Sequence, residues 1–266
     1  AVSQRLQSLE RELNCQLFCR AGNTVQPTDA CIGLIPKVER LIKDTQNIVV
    51  SVRDSALSGT LRIGANSTSL TAFIPGSLKS IRQCAPEANF QVIPGNSIDL
   101  YRSLQEGSLD AAIIVKPPSS IPKTCRYWVL RREPLVFIHP LNRRGSMEEI
   151  LKKNEYIRFD PACWGGLIVE RFLNERKLKL KTMLDLDSLE AIARLVCEDV
   201  GVSIVPMWPG LEDFIQKMNI CKIDDSDHWM ETILITPVYS KQPKLLNIFL
   251  KNLEQLEHST QFELRK

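Results

Sequence analysis

Small hydroxyl and amide side chains follow several predicted strands, at points where a helix is about to begin. The candidate binding residues in these loops are Asn66, Ser67, Thr68, Ser69, Asn96, Ser97, Asp160, Trp164 and Pro206. In an open α/β sheet, ligands bind beyond the carboxyl ends of the strands, where helix N-termini offer free N–H groups and the positive end of a dipole. The loops therefore predict a site for a small polar or anionic ligand. Plain helix capping is the alternative interpretation of their Ser, Thr and Asn residues.

Two of these loop residues bear on which ligand would fit. Trp164 could stack on a ligand or close the cleft as an apolar plug. Asp160 disfavours an anion unless a cation such as Arg158 pairs with it. The sequence therefore leaves the charge of the ligand open.

The residue types that carry catalysis or bind metals are dispersed. The three histidines are far apart, no G-x-S-x-G or phosphate-binding glycine loop is present, and we expect no metal, no cofactor and no enzymatic activity. The eight cysteines form no C-x-x-C pair, and most are expected to be small buried residues in a reducing cytoplasm. Redox sensing is the alternative, with Cys163 as its candidate because it lies beside Trp164.

Strands and helices alternate from residue 60 onward, and they would position these loops. Strands are predicted at 61–65, 90–95, 111–115, 134–140, 155–159, 182–186, 202–206 and 233–238, and helices at 72–84, 98–106, 166–175, 188–198 and 244–257. This order predicts a parallel sheet covered on both faces. It also predicts two similar α/β units joined by two crossovers, which is the architecture of solute-binding proteins.

A long amphipathic helix is predicted before the first of these strands. Its seam consists of Leu34, Val38, Leu41, Thr45, Ile48, Val52 and Ser55, at alternating spacings of four and three. This pattern favours a partner helix. A lone helix packed on its own domain is the alternative.

The first thirty residues predict a helix, a short connector and a two-stranded wing, with a turn signal at Gly22-Asn23. Polar positions of the helix can bond base edges and phosphates in a major groove, and the wing can reach the phosphate backbone. The DNA-contact candidates are Ser3, Gln4, Arg5, Gln7, Arg20, Thr24 and Thr28. A solvated helix and hairpin is the alternative. Nothing caps the helix before Val2, so we expect the chain to begin partway into it.

Composition sets further bounds on function and location. The formal net charge of +3 over 266 residues is too small to imply polyanion binding by itself. No apolar run is long enough to cross a membrane, and no signal peptide is evident. We therefore expect a cytoplasmic protein with no membrane partner.

The N-terminal segment resembles the second half of the winged helix-turn-helix of LysR-type transcriptional regulators. The matching residues are Ser3, Leu9, Glu10, Leu13, Leu17, Phe18, Arg20, Pro27 and Thr28. Gln4 stands where the family commonly has Arg, and Asn14 stands where it commonly has Gly, a change that a left-handed helix end tolerates. The segments SGTLRIGA, EGSLDAAII and DVGVSIVP, in this order, extend the resemblance over nearly the whole chain.

The resemblance implies an α/β fold with three parts: a partial winged helix-turn-helix at 1–31, a linker and dimerisation helix at 32–57, and a two-subdomain, periplasmic-binding-protein-like (type 2) effector domain. Subdomain I is expected at 58–139 and 238–258, and subdomain II at 140–237. The implied function is DNA-binding transcriptional regulation, controlled by a small-molecule effector bound between the subdomains. The implied partners are double-stranded operator DNA, a second or further copies in a homodimer or homotetramer, and RNA polymerase. The alternative is a solute-binding module or an enzyme on the same scaffold without DNA binding.

Overall fold

The computed structural model describes residues 2–21, 24–53, 59–178, 180–224 and 227–258. The chain divides into two compact units, Ala1–Ala56 and Leu57–Lys266. In the first unit, helix α1 (Val2–Leu13) is followed by strands β1 (Phe18–Ala21) and β2 (Thr24–Pro27) and by the long helix α2 (Asp29–Arg53). The two strands form an antiparallel wing. The turn predicted at Gly22-Asn23 and the seam residue Ser55 lie outside the described residues.

Helix α1 ends in a residue with left-handed backbone geometry, Asn14, whose φ is 48°. The amide of Asn14 donates to the carbonyl of Arg11, and the amide of Cys15 donates to the carbonyl of Glu10. These two bonds define a Schellman motif, in which Gly or Asn supplies the left-handed residue. Asn14 therefore ends the helix as predicted, in the place where the family commonly has Gly.

The second unit, Leu57–Lys266, alternates strands and helices along the chain. Its elements are β3 (Gly59–Ala65), α3 (Ser67–Ala72), α4 (Ile74–Cys84), β4 (Ala88–Pro94), α5 (Ser97–Gln105), β5 (Ala111–Val115), β6 (Cys125–Pro140), α6 (Met147–Lys153), β7 (Tyr156–Phe159), α7 (Trp164–Glu175), β8 (Thr182–Leu186), α8 (Leu189–Cys197), β9 (Ser203–Pro206), a 3₁₀ helix (Pro209–Phe214), β10 (Met218–Lys222), β11 (Trp229–Pro237) and α9 (Pro243–His258). The α/β class predicted from the sequence is confirmed.

The main sheet of this unit is mixed, so the prediction of a parallel sheet is wrong in part. Its strand order is β10-β6-β11-β5-β3-β4, and β9 also pairs with β6. Strand β3 runs parallel to β4 and β5, whereas β11 runs antiparallel to both β5 and β6. Strands β7 and β8 form a separate parallel pair. The antiparallel pairs arise because β6 and β11 carry the chain between the two halves of the unit in opposite directions.

Two apolar cores lie along the length of β6. Leu130 packs in a core with β3, α4 and α9, which includes Leu61, Ile81 and Phe249. The stretch Leu135 to Ile138 packs instead in a core with α7, α8 and the 3₁₀ helix. The two halves of this unit are therefore packed separately, as a two-subdomain effector domain requires. The subdomain bounds themselves stay a prediction.

A buried ion pair joins the two sequence segments that flank β4 and α5. Asp110, which is 5% exposed, accepts bonds from the backbone amide of Arg62 at 2.8 Å and from its Nε at 3.2 Å. The Nη2 of Arg62 donates to the other carboxylate oxygen at 3.3 Å. The SGTLRIGA and EGSLDAAII segments are thus held together by one carboxylate, which fixes β5 beside β3.

We expect Asp110→Asn to lower the free energy of unfolding of this unit by about 2 kcal/mol, because a partly buried guanidinium loses its charged acceptor. Urea denaturation followed by circular dichroism measures the change. The control is Glu190→Gln, which removes an exposed i,i+4 ion pair with Arg194. That variant should change stability by no more than about 0.5 kcal/mol. Equal losses of unfolding free energy in the two variants would contradict a stabilising role of the Asp110–Arg62 ion pair.

Candidate ligand cleft and nucleic-acid face

A cavity of about 380 Å³ opens in the second unit where several helices begin. Ligand sites commonly have volumes of roughly 300 to 1,000 Å³. The polar part of its lining is Asn66, Ser67, Thr68, Asn96, Ser97, Cys163, Asp187 and Ser188, and the remainder includes Pro94, Val115, Phe159, Trp164, Leu189 and Met230. The walls come from both halves of the unit, as the sequence predicted for a cleft between subdomains.

Each of the helices that begin at this cavity has a side-chain cap. The Oδ1 of Asn66 accepts from the amide of Ser69 at 2.9 Å, and that of Asn96 accepts from Asp99 at 2.8 Å. The Sγ of Cys163 and the Oγ of Ser188 do the same for α7 and α8 at 3.3 Å. Each cap satisfies the third amide of its helix. In α7 the second amide, that of Gly165, also bonds the Cys163 thiol, so a ligand there would meet the first amide, and in the other three helices it would meet the first two. The longer helices α5, α7 and α8 add the positive ends of their dipoles.

Six of the nine predicted binding residues line the cavity. They are Asn66, Ser67, Thr68, Asn96, Ser97 and Trp164. The capping interpretation also holds for part of this set. Both side-chain groups of Asn96 are engaged by Asp99, whereas the Oγ of Ser97 accepts from the amide of Val115 and keeps its proton to donate.

The other three predicted residues are not among those that line the cavity. Ser69 is buried in α3, and Pro206 is buried at the end of β9. Asp160 accepts from the amide of Ala162 within its own loop. Its expected partner Arg158 pairs with Asp185 on β8. The geometry therefore does not favour these three assignments, which stay predictions, because a position in a loop does not fix the direction of the side chain.

Sequence reasoning missed the loop after β8, which adds Asp187 and Ser188 to the lining. The signal was present, because this loop also lies between a predicted strand and a predicted helix. Asp187 takes the place that Asp160 was expected to hold, as a carboxylate beside the ligand. It faces a cavity otherwise polarised by helix N-termini.

Cys163 is placed as a cap and is poorly suited to redox chemistry. Burial raises the pKa of its thiol, an effect that the hydrogen bonds from the Gly166 and Gly165 amides only partly offset. The thiolate is the reactive form of cysteine. A raised pKa therefore weakens the redox alternative.

Trp164 forms a fixed wall of the cleft. Its ring packs edge-to-face on Tyr101 of α5, with 5.6 Å between the ring centroids. The contact joins the start of α7 to a helix of the other half of the unit. Any change in the angle between the halves would therefore move this pair.

The polar face of α1 in the first unit is open. Ser3, Gln4 and Gln7 are exposed, and their spacing places them on one side of the helix. Arg5 is exposed at the flank of that side. The side chains of Arg20 and Thr24 lie outside the described ones.

The wing is tied to α1 by a carboxylate. The Oε1 of Glu10 accepts from the amides of Leu17 at 2.7 Å and Phe18 at 3.1 Å. Glu10 thus fixes the direction in which the chain enters the wing.

Thr28 has a structural role where the wing leads into α2. Its hydroxyl donates to the carbonyl of Gln16 at 2.8 Å and accepts from the amide of Cys31 at the start of α2. A hydroxyl has one proton, and here that proton is already engaged. The assignment of Thr28 to DNA contact therefore stays a prediction that this geometry does not favour.

Helix α2 exposes a row of large apolar side chains within the first unit. Ile32, Ile35, Val38, Leu41 and Ile42 are all exposed. Such a face favours a partner helix over a lone one. Of the predicted seam, Leu34 is half-buried, Val38 and Leu41 are exposed, and the side chains of Thr45, Ile48, Val52 and Ser55 lie outside the described ones.

Among the described residues, no helix combines the length and apolarity needed to cross a bilayer. Within the same residues, no group of three or more His, Cys, Asp or Glu side chains is arranged to hold a metal ion.

Comparison with known families gives two matches along the chain. The LysR substrate binding domain matches residues 54–257, and the bacterial regulatory helix-turn-helix protein of the lysR family matches residues 1–31. A probable RuBisCO transcriptional regulator of Synechocystis sp. is 27% identical over 216 residues, which cover 77% of this chain and 63% of that protein. The chain thus spans less than two thirds of the length of this relative.

Solved structures resemble the whole chain or its second unit. Full-length BenM has a TM-score of 0.65 at 18% identity and covers 99% of this chain and 89% of its own. The effector binding domain of QuiR in complex with shikimate has a TM-score of 0.65 at 16% identity, covering 76% of this chain and 99% of its own. At these identities the likeness concerns the fold.

Proposed function

Since the chain belongs to the LysR family, whose substrate-binding-domain match covers residues 54–257, we propose that this protein is a DNA-binding transcriptional regulator controlled by a small-molecule effector. The observation that carries the effector part is the meeting of helix N-termini at one cavity with hydroxyl and amide walls. The match of residues 1–31 to the family's helix-turn-helix carries the DNA part. The relative from Synechocystis is named as a regulator, which favours this function over a catalytic one.

The cleft best fits a small effector with an anionic group and further polar groups. The first amides of the helices and the positive ends of their dipoles favour an anion. Asp187 and the hydroxyls of Ser67 and Ser97 add acceptors and donors that would select hydroxylated ligands. Shikimate, bound by QuiR, is a hydroxylated carboxylate of this class. A cavity of about 380 Å³ has room for a molecule of that size.

The DNA contact is proposed to lie on α1 and the wing. Ser3, Gln4 and Gln7 would face base edges and Arg5 a phosphate, with Arg20 and Thr24 reaching the backbone from the wing. The exposed apolar row of α2 would pair two copies, so that two heads read two half-sites. Because such a regulator must reach DNA, its place of action would be the cytoplasm.

Signal transfer would occur by a shift between two populations of the effector domain. An effector that binds better when the two halves are closed favours that state. The strength of the shift is limited by the difference in affinity for the two states. The Trp164–Tyr101 contact between the halves would be rearranged in the process.

Two variants should separate the two activities. Thr68→Trp fills the cleft, so it should abolish the thermal shift that small carboxylates, shikimate first, produce in the wild type. It should leave affinity for the DNA upstream of the gene within about twofold of the wild-type value.

Arg5→Ala should weaken DNA binding by about tenfold and reduce its salt dependence, because one phosphate contact is lost. It should leave the carboxylate shift unchanged.

Fluorescence anisotropy of labelled DNA and calorimetry of the full-length gene product measure these effects. Selective, salt-sensitive DNA binding that a carboxylate alters would support both parts of the proposal. Binding no tighter than to random DNA would refute the regulator and leave a solute-binding module. An unchanged carboxylate response in Thr68→Trp would place the effector elsewhere.

A further inference from the structure

Trp164 lines a second cavity besides the effector cleft. This cavity has a volume of about 500 Å³, and Trp164 forms part of its wall as it does of the wall of the effector cleft. It takes residues from the segment after β5, from α7 and from the start of β11. We propose that it is a second ligand site, which binds a flat aromatic molecule with one carboxylate.

The walls of the second cavity suit a planar ring. They consist of Trp164, Trp229, Pro117, Pro118, Leu167 and Ile168. Trp229 is 41% exposed, which is unusual for so large an apolar side chain. An indole face gains most from stacking on another aromatic ring. An exposed indole next to two prolines is therefore better explained as part of a binding wall than as part of a core.

The polar part of the lining carries an excess of positive charge. Glu231 is shared by two cations, Lys116 at 2.5 Å and Arg132 at 2.9 Å. These hydrogen bonds lower the pKa of Glu231, with Lys116 the larger contributor. Its carboxylate is therefore ionised and neutralises only one of the two cations.

Arg171 is the third cation in the lining of the second cavity, after Lys116 and Arg132. Arg171 lies on the exposed side of α7 and lines the same cavity. Asp227 is the other carboxylate there, and His228 lies 3.2 Å from Glu175. Three cations against two carboxylates leave one positive charge for a ligand, which a monocarboxylate would neutralise. Arginine forms two parallel bonds with a carboxylate, so Arg171 is the residue that would hold it.

This site is placed to influence the effector cleft. Its ligand and the effector would both touch Trp164, because this residue lines both cavities. Lys116 follows β5, and Arg171 lies on α7 in the other half of the unit. A molecule held by both residues would restrain the angle between the halves. Any coupling must be reciprocal, so each ligand would change the affinity of the other by the same factor.

Indole-3-carboxylate is the probe, and indole-3-carboxamide is its neutral control. Isothermal titration calorimetry on the full-length protein should show binding of the acid that is at least about tenfold tighter than that of the amide. Arg171→Gln should weaken binding of the acid by about tenfold. Arg144→Gln, which makes the same change at an exposed position away from the cavity, should leave it unchanged.

Thr68→Trp distinguishes the two cavities and keeps this test separate from the test of the effector cleft. Binding of the acid that survives Thr68→Trp and is lost in Arg171→Gln assigns it to the second cavity. Loss in Thr68→Trp with no effect of Arg171→Gln would place the acid in the effector cleft and overturn the inference. Equal binding of acid and amide would overturn it as well, because the positive charge would then play no part.

Discussion

Replacing Gly166 by Ala should lower the unfolding midpoint of the unit Leu57–Lys266 by about 10 °C and abolish effector binding. A Cβ at this position would lie 1.9 Å from the carbonyl oxygen of Asp160 and 2.4 Å from its carbonyl carbon. Both atoms are backbone, so the loop itself must move. An overpacking cost of roughly 3 kcal/mol in a domain of this size corresponds to that change in midpoint.

The loss of binding follows from where the clash occurs. Gly166 is in the first turn of α7, next to Cys163 and Trp164, which line the cleft. Displacing the 160–163 loop would move the first amides of α7 away from the ligand. Calorimetry with and without shikimate measures both effects on one sample.

Gly33→Ala is the matched control. Gly33 lies inside α2, and an added Cβ there would have no atom within 4 Å. The change should be neutral or should stabilise the helix by about 0.5 to 1 kcal/mol. A Gly166→Ala protein with the melting temperature of the wild type would show that the 160–163 loop moves at little cost. The close approach of Gly166 to the Asp160 carbonyl would then not be needed for stability.

Much of the fold was predictable because its strands are continuous apolar runs. The segment 111–115 was predicted as a strand and forms β5 with the same bounds, and all of its residues are buried. The segment 182–186 also forms β8 with the predicted bounds, although three of its five residues are exposed. A strand covered on both faces has no polar positions, so periodicity and length identify it without knowledge of its neighbours.

The elements that were missed have weaker local patterns. Strand β6 begins at Cys125, nine residues before its predicted start, because its first half mixes exposed residues such as Arg126 and Tyr127 with half-buried ones. Strand β10 is short and lies at the edge of the sheet. The antiparallel course of β11 depends on pairing between distant segments, which no local pattern encodes.

The candidate cleft was predictable to the level of loops and not of side chains. Asn66, Ser97 and Trp164 line the cavity as expected, because residues between a strand and the following helix lie at one edge of the sheet. Ser69 does not line the cavity, because the helix buries its side chain two residues after the start of α3. The direction of a side chain in the first turn of a helix depends on how the helix is capped, and that geometry is seen only in the structure.

A buried carboxyl on β6 leads to the second large expected effect. Glu133 is 4% exposed, and its Oε2 has no hydrogen-bond partner among the described residues. Burial raises its pKa to about 8, an effect that Arg131 only partly opposes. Its cross-strand neighbour is Met230, which lines the effector cleft. The folded protein therefore holds Glu133 protonated at neutral pH.

The sign of the pH dependence follows from this raised pKa. The ordinary value is near 4.5, so between about pH 4.5 and 8 the folded state binds a proton that the unfolded state has released. The stability associated with this proton is complete below pH 4.5, and it is lost as the pH rises towards 8. The slope from one group can reach about 1.4 kcal/mol per pH unit.

Glu133→Gln should therefore flatten the dependence of unfolding free energy on pH and make the protein more stable at pH 8 by several kcal/mol. The amide keeps the shape and one donor of the protonated acid, but it has no proton to lose. Urea denaturation at pH 5, 6, 7 and 8 gives the free energies. The difference between variant and wild type should be small at pH 5 and should grow steadily.

Glu87→Gln, at an exposed position, is the control and should run parallel to the wild type at every pH. Parallel curves for Glu133→Gln as well would mean that Glu133 titrates normally, through water reaching its Oε2. A variant that is less stable at every pH would mean that the carboxylate form is the one stabilised, by Arg131. Only a stability difference between Glu133→Gln and the wild type that grows with pH requires a carboxyl kept neutral by burial. The reason is that a buried carboxylate without a partner is costly, so the group keeps its proton.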